Sequence, residues 1–206
     1  VQDKSSVAGY GGAIYATNNL TVINSTFTGN TAYRNGGAIA MMGGDLDVIA
    51  NDSGATTFSE NLKSFGTVSE ASNDIYMGGT KQTLRLVANG ASSSVKLGGG
   101  IDFNKDLTIV VNQSNTEQGK VTIGGDVGSE SKRATMYLYG GDFSLVSDKV
   151  FNTVYAGKVY IATDTNVSFD VSLATDNFKY DQFNFSSAEG KGKLIVTADS
   201  FNITSG

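Results

Sequence analysis

Two aspartates, Asp45 and Asp47 in "GGDLDV", are the nearest this sequence comes to a catalytic constellation. Residues two apart on a strand share a face, so the two carboxyls would stand side by side. Carboxyl pairs roughly 5–10 Å apart hydrolyse glycosidic bonds, one as acid and the other as base or nucleophile. Aspartates holding calcium beside an Arg or Lys base would instead serve a polysaccharide lyase. The simpler expectation is that both are outward polar positions of an alternating strand. Other chemistry lacks materials. The chain has no His and no Cys, so neither a Ser–His nor a Cys–His nucleophile pair can be assembled. A zinc site would have to be all-carboxylate, which is unusual. The three arginines, Arg34, Arg85 and Arg133, fall in separate segments. "GGG" at 98–100 and "GGDVG" at 124–128 neither open a helix nor end in Gly-Lys-Ser/Thr, so they read as tight turns rather than phosphate loops. We expect no catalysis, no cofactor and no metal.

Composition narrows the partners. A net charge of −5, with 15 scattered cations, argues against nucleic acid, which needs clustered Lys and Arg. No apolar run approaches the 18 or so residues of a membrane-spanning helix. The 206 residues include no proline. Proline removes a ladder donor and is excluded from central strands, so its absence suits a chain that is mostly laddered strand. Without Cys there is no disulfide framework, and a Cys-free chain suits export in an unfolded state through an oxidising space. The chain starts at Val1 rather than Met and stops in mid-pattern at Gly206; it reads as a piece of something longer.

The elements that must position these residues are strands. Apolar residues alternate with polar ones, as in Leu20-Thr21-Val22, Leu84-Arg85-Leu86 and Val121-Thr122-Ile123, which is the strand period of two. Turn-formers such as "NGASSS" and "GGDVGSES" separate them. Repetition selects the architecture. "GGAI" recurs at 11–14 and 36–39, "NNLTV" at 18–22 is answered by "GDLDV" at 44–48, and Phe27-x-x-Asn30 is answered by Phe58-x-x-Asn61. Later, Leu84 and Leu107 open similar segments. Periods in the twenties are those of solenoids with one turn per repeat. We therefore expect an all-β, right-handed parallel β-helix without significant helix, in roughly eight to nine rungs of about 24 residues. Gly11-Gly12-Ala13 and Gly36-Gly37-Ala38 would form tight corners, and Ile14, Ile39, Phe27 and Phe58 would fill the core. Asn30 and Asn61 would lie in the next turn, in left-handed geometry, laddering their amides from rung to rung. The 206 residues form one body: 11–61 contains the repeats and 62–206 more irregular rungs.

These paired motifs, Gly-Gly-Ala-Ile followed in order by Phe-x-x-Asn, resemble the GGA[ILV] and FxxN repeats of chlamydial polymorphic outer membrane proteins and related autotransporter passengers. "NDIYMGG" at 73–79 and "VSFDVSLATDNFKYDQFNF" at 167–185 are similar to stretches common in such passengers. The resemblance implies a β-helix displayed on the bacterial surface, or secreted, with membrane anchoring left to a separate C-terminal barrel. It also implies a structural and adhesive role toward a host-cell protein or glycan. In that family the tetrapeptides themselves are implicated in attachment, which makes Gly11, Gly12, Ala13, Ile14, Phe27, Asn30, Gly36, Gly37, Ala38, Ile39, Phe58 and Asn61 the candidate motif residues.

Aromatic residues offer a second candidate surface. Tyr137, Tyr139 and Phe143 flank "GGD" at 140–142, with Tyr155 and Tyr160 close behind, and could stack on sugars or anchor a protein. The alternative is that they are core. Tyr137 and Tyr139 share one face and Leu138 the other, so both sets cannot point inward. Asn-x-Ser/Thr occurs at Asn19, Asn24, Asn51, Asn112, Asn166, Asn184 and Asn202; polar strand positions generate such triplets by chance. Two other functions compete with adhesion: a carbohydrate-active enzyme on the same scaffold, and a fibre or sheath subunit that stacks on neighbouring copies of itself through open strand ends.

Overall fold

The computed structural model describes residues 9–64, 71–113, 118–145 and 153–161, together with the strand backbones Val167–Val171, Phe178–Phe185 and Lys193–Val196. It is all-β, with no helix among the described residues. The chain runs in successive laps. The first holds β1 (Ile14–Ala16), β2 (Leu20–Ile23), β3 (Thr26–Thr28) and β4 (Thr31–Ala32). The second holds β5 (Ile39–Met41), β6 (Leu46–Ala50), β7 (Ala55–Ser59) and β8 (Leu62–Lys63). β9 (Ala71–Ser72), β10 (Ile75–Met77), β11 (Lys81–Ala88) and β12 (Ser94–Leu97) follow, then β13 (Ile101–Phe103), β14 (Asp106–Val111) and β15 (Lys120–Ile123). The remaining laps hold β16 (Ala134–Leu138) and β17 (Gly141–Leu145), then β18 (Val154–Ile161) and β19 (Val167–Val171), then β20 (Phe178–Phe185) and β21 (Lys193–Val196).

Stacking these laps makes three parallel sheets, two of them long. The first joins β1-β5-β10-β13, the second β2-β6-β11-β14-β16-β18-β20, and the third β3-β7-β12-β15-β17-β19-β21. A small fourth sheet, β4-β8-β9, contains the one antiparallel strand pair among the described residues, β8 with β9. The two long sheets each count seven strands.

Register explains why the sequence folds this way. Each strand repeats the inward and outward alternation of its neighbour, so like residues stack on like. Ile14, Ile39, Ile75 and Ile101 form one inward column of the first sheet, continued by Val127 and Val154. Leu20, Leu46, Leu84, Ile109, Met136 and Val159 form another in the second. In the third sheet Phe27 lies on Phe58, ring centroids 4.7 Å apart, and the column runs on through Leu97, Ile123 and Leu145. From Ile39 onward these side chains are buried. Each such burial stabilises the fold by about 1.5–3 kcal/mol, and none can slip by one residue without turning its whole strand inside out.

The recurrences read from the sequence are these pairings. Ile14 pairs with Ile39, Leu20 with Leu46 and Phe27 with Phe58. One alignment differs. Leu84 pairs with Ile109, and Leu107 pairs with Gln82, so the expected match of Leu84 to Leu107 is off by two residues. A shift of two keeps the same face inward, which is why apolar pattern alone could not detect it. A second expectation is also corrected. Asn30 and Asn61 are not the left-handed residues of their turns; those are the residues before them, Gly29 at φ 66° and Glu60 at φ 56°. The asparagine backbones stay in line, which frees their amides to point along the coil.

Both glycines of each Gly-Gly-Ala-Ile corner are required, for different reasons. Gly11 and Gly36 have φ of 68° and 74°, where a Cβ is penalised. Gly12 and Gly37 have no such φ but no space either: a Cβ on Gly37 would lie 2.5 Å from both the Asn73 carbonyl and the Leu62 nitrogen. Replacing Gly37 with Val should therefore abolish cooperative unfolding or solubility. Gly29→Ala, where nothing lies within 4 Å of the new carbon, should cost only the left-handed backbone strain of about 1–2 kcal/mol. Urea denaturation of the two variants checks the contrast.

Candidate functional site

The motif corner is densely hydrogen-bonded through side chains. Asn61, fully buried, accepts hydrogen bonds at its Oδ1 from the Asn30 backbone N–H (3.1 Å) and the Asn30 Nδ2 (2.9 Å). Its Nδ2 donates to the Phe27 carbonyl (3.0 Å) and to Asp74 Oδ1 (2.8 Å). Asp74 Oδ2 then accepts from the Gly99 N–H (2.5 Å), while the neighbouring Asn73 Oδ1 accepts from the Gly36 N–H (2.5 Å). A chain of amide and carboxylate groups thus runs along the coil through its first laps. Asn30 and Asn61 do ladder their amides, as their spacing implied.

Of the motif residues, Gly36, Gly37, Ala38, Ile39, Phe58 and Asn61 are buried. The second Gly-Gly-Ala-Ile/Phe-x-x-Asn pair therefore offers no contact surface; its work is to hold the corner. In the first pair, Gly11, Ile14, Phe27 and Asn30 are half-buried and Gly12 and Ala13 exposed.

Sequence reading missed Asn73, Asp74 and Asn112. The signal for the first two is positional: Ser72-Asn73-Asp74-Ile75 occupies in the third lap the corner that Gly36-Gly37-Ala38-Ile39 occupies in the second. Gly98-Gly99-Gly100-Ile101 and Gly124-Gly125-Asp126-Val127 follow in the next two. Asn112 performs the equivalent task at the corner between the second and third sheets. Its Oδ1 accepts from the Ala88 N–H (2.8 Å) and its Nδ2 donates to the Gly119 (3.1 Å) and Gly140 (2.8 Å) carbonyls. It is wholly buried, so this Asn-Gln-Ser triplet is no glycan acceptor in the folded chain. The triplets at Asn166 and Asn202 lie outside the described residues.

The carboxylate pair has a different partner from the one catalysis needs. Asp47 Oδ1 and Asp45 Oδ2 accept from the two terminal nitrogens of Arg85, at 2.9 and 3.1 Å. Asp45 Oδ1 also accepts from the Thr83 N–H (2.8 Å). Arg85 lies directly across from Asp47 on the adjacent strand, so the guanidinium is clamped between carboxylates, and the hydrogen bond it donates to Asp47 raises its pKa above the usual value. The other two arginines cap aromatic rings, Arg34 over Tyr10 (5.6 Å) and Arg133 over Tyr155 (5.8 Å). Among the described residues no group of three or more Asp or Glu side chains is arranged to hold a metal ion.

The aromatic candidates separate. Tyr137 and Tyr139 face outward, and Tyr137 stacks on Tyr160 (4.7 Å, rings 6° apart) and on Tyr139 (6.2 Å). Phe143 does not join them. It is wholly buried in the third sheet, between Val121 and the next strand, because it falls on the inward register of β17. The expected three-residue contact face is therefore a tyrosine ladder without Phe143, and its ring faces are turned largely toward one another.

Outside the third sheet lies a groove of about 380 Å³ lined by Ser94, Lys96, Gly98, Lys120, Thr122 and Gly124. Compared with known protein families, curated proteins and solved structures, the chain matches none.

Two titration and charge predictions follow from these contacts. Burial pushes the Asp74 carboxyl up from 3.8 to about 6, against the lowering effect of its bonds from Asn61, Gly99 and Gly98. The folded value exceeds the unfolded one, so this group's contribution to stability is full below 3.8 and is lost as pH rises through about 6. Relative to Asp74→Asn, the wild type should therefore lose about 2–3 kcal/mol between about pH 4 and pH 7, read from urea midpoints at each pH. Changing Asp45 and Asp47 together to Asn removes a clamp whose members are each about a third exposed. Screening limits the loss to about 1 kcal/mol, and the same urea titration in added salt should shrink it.

Proposed function

We propose that this chain is a segment of a bacterial surface or secreted passenger, wound as a right-handed β-helix and acting as a structural and adhesive module. The observation that supports it best is the placement of the two Gly-Gly-Ala-Ile and two Phe-x-x-Asn units. They occupy the same corners of consecutive laps and bond to each other through Asn30 and Asn61, as the resemblance to chlamydial polymorphic outer membrane proteins implies. In this reading the buried motif residues build the scaffold, and contact with a host-cell protein or glycan falls to outward rows of side chains. In this reading, as the resemblance implies, membrane anchoring falls to a separate C-terminal barrel. The Asp45–Arg85–Asp47 clamp favours a structural role for the carboxylates over an enzymatic one, since both acids already hold a cation.

The test uses the chain as it stands. Fluorescently labelled protein should bind cultured epithelial cells saturably and be displaced by unlabelled protein. The same preparation should release no reducing ends from polysaccharide substrates. Saturable binding that leaves polysaccharides intact, and that survives Asp45→Asn with Asp47→Asn, is the expected result. Absence of binding, or glycan cleavage that those substitutions abolish, overturns the reading.

A further inference from the structure

The outward face of the third sheet carries no large apolar side chain over its first four strands. Its rows read Thr26, Thr57, Lys96 and Thr122 in one line, and Ala55, Ser94 and Lys120 in the other. Within the groove, Ser94 pairs with Lys120 and Lys96 with Thr122. The four side chains therefore mark a parallelogram on two adjacent strands. Ammonium groups stand at one pair of opposite corners and hydroxyls at the other. With strands about 4.8 Å apart and two residues rising about 6.7 Å, its lysine-to-lysine diagonal is about 8 Å at the backbone, a span that the two flexible arms can close from both sides on one anionic group.

Three further observations point to a ligand. Both lysines are exposed, and neither is in an ion pair among the described residues, although the molecule as a whole is acidic. Gly98 and Gly124 line the groove and add no side chain to it. Its volume of about 380 Å³ exceeds what a simple ion needs and falls in the range of sites for small organic ligands.

The kind of anion follows from the donors. Planar carboxylates are best met by the two-pronged guanidinium of arginine, and all three arginines lie elsewhere. A compact ammonium acts as a point charge with freely turning donors. Two such groups and two hydroxyls arranged around a centre suit a tetrahedral oxyanion. We propose that this groove binds a sulfated glycan, with a sulfate between Lys96 and Lys120 and adjoining sugar hydroxyls meeting Ser94 and Thr122. The chain of sugars runs toward Thr57 and Thr26 and away from Asp142, which sits beside Lys120 in register on the far strand. This rests on the adhesive reading and assigns it a ligand.

Isothermal titration of the 206-residue chain with a heparin hexasaccharide tests the assignment. Wild type should bind, with affinity falling steeply between low and physiological salt. Lys96→Gln with Lys120→Gln should weaken binding by at least about tenfold while leaving the urea midpoint unchanged. Lys158→Gln, on the exposed face of the second sheet, should bind as wild type. No heparin binding, an unaffected double variant, an equal loss in Lys158→Gln, or equally tight binding of maltohexaose or of oligogalacturonate each overturns the proposal. Cell binding separates the two readings. A double variant that still binds cells like wild type refutes the groove and spares the adhesin. A wild type that binds the hexasaccharide but no cells does the reverse.

Discussion

At the corner ahead of the first sheet, the backbone of one lap passes so close to the next that a side-chain carbon has nowhere to go. A Cβ on Gly12 would fall 2.1 Å from the Gly37 carbonyl, and one on Gly125 would fall 2.1 Å from the carbonyl carbon of Gly99. What that proximity secures is a run of backbone hydrogen bonds from lap to lap: Gly12 to Gly36, Gly37 to Asn73, Asp74 to Gly100 and Ile101 to Asp126. These bonds set the height and phase of each lap before any strand begins. The isoleucine column that follows can stack only because the corner delivers each Ile at the same angle.

A coil of this kind has a polar problem at every bend, since strands end and their N–H and C=O groups turn inward. Here the solution is a small set of buried side chains that imitate backbone. Asn61, Asn73 and Asp74 serve one corner and Asn112 another, each bonding to groups in neighbouring laps. The third lap substitutes a carboxylate where an amide would avoid the desolvation cost, and that choice gives the interior an acid whose carboxyl is pushed up to about 6. An acid surrounded only by donors is better served when charged, while its burial opposes the charge; here burial is the larger effect.

Much of this was legible in the residues. Alternation of period two fixed which side chains face in, and the paired tetrapeptides fixed the register of the first two laps, because glycine pairs before an Ile have few other physical explanations. Less was visible beyond them. The corner persists as Ser-Asn-Asp-Ile, Gly-Gly-Gly-Ile and Gly-Gly-Asp-Val, a continuity hidden by substitutions that preserve shape rather than identity. The misplaced partner of Leu84 shows the limit of hydrophobic pattern, which cannot tell a strand from the same strand moved by two. The aromatic face failed at Phe143 for a related reason: neighbouring aromatics separated by a turn need not share a side. The Arg85 clamp joins residues about forty positions apart, and only the stacking of β11 on β6 brings them together.

The lap from Ile39 to Ile75 takes 36 residues where the one from Ile14 to Ile39 takes 25, counted from paired positions. Part of the surplus falls between β6 and β7 and part at β8 and β9, which pair antiparallel, yet Ile75 sits on Ile39 as squarely as Ile39 on Ile14. The core, in other words, does not register how much chain is spent outside it. A molecule so built can acquire new loops at its bends, of any composition that stays soluble, while its axial packing remains untouched. Variation in what such a rod displays is thereby uncoupled from the stability of the rod itself.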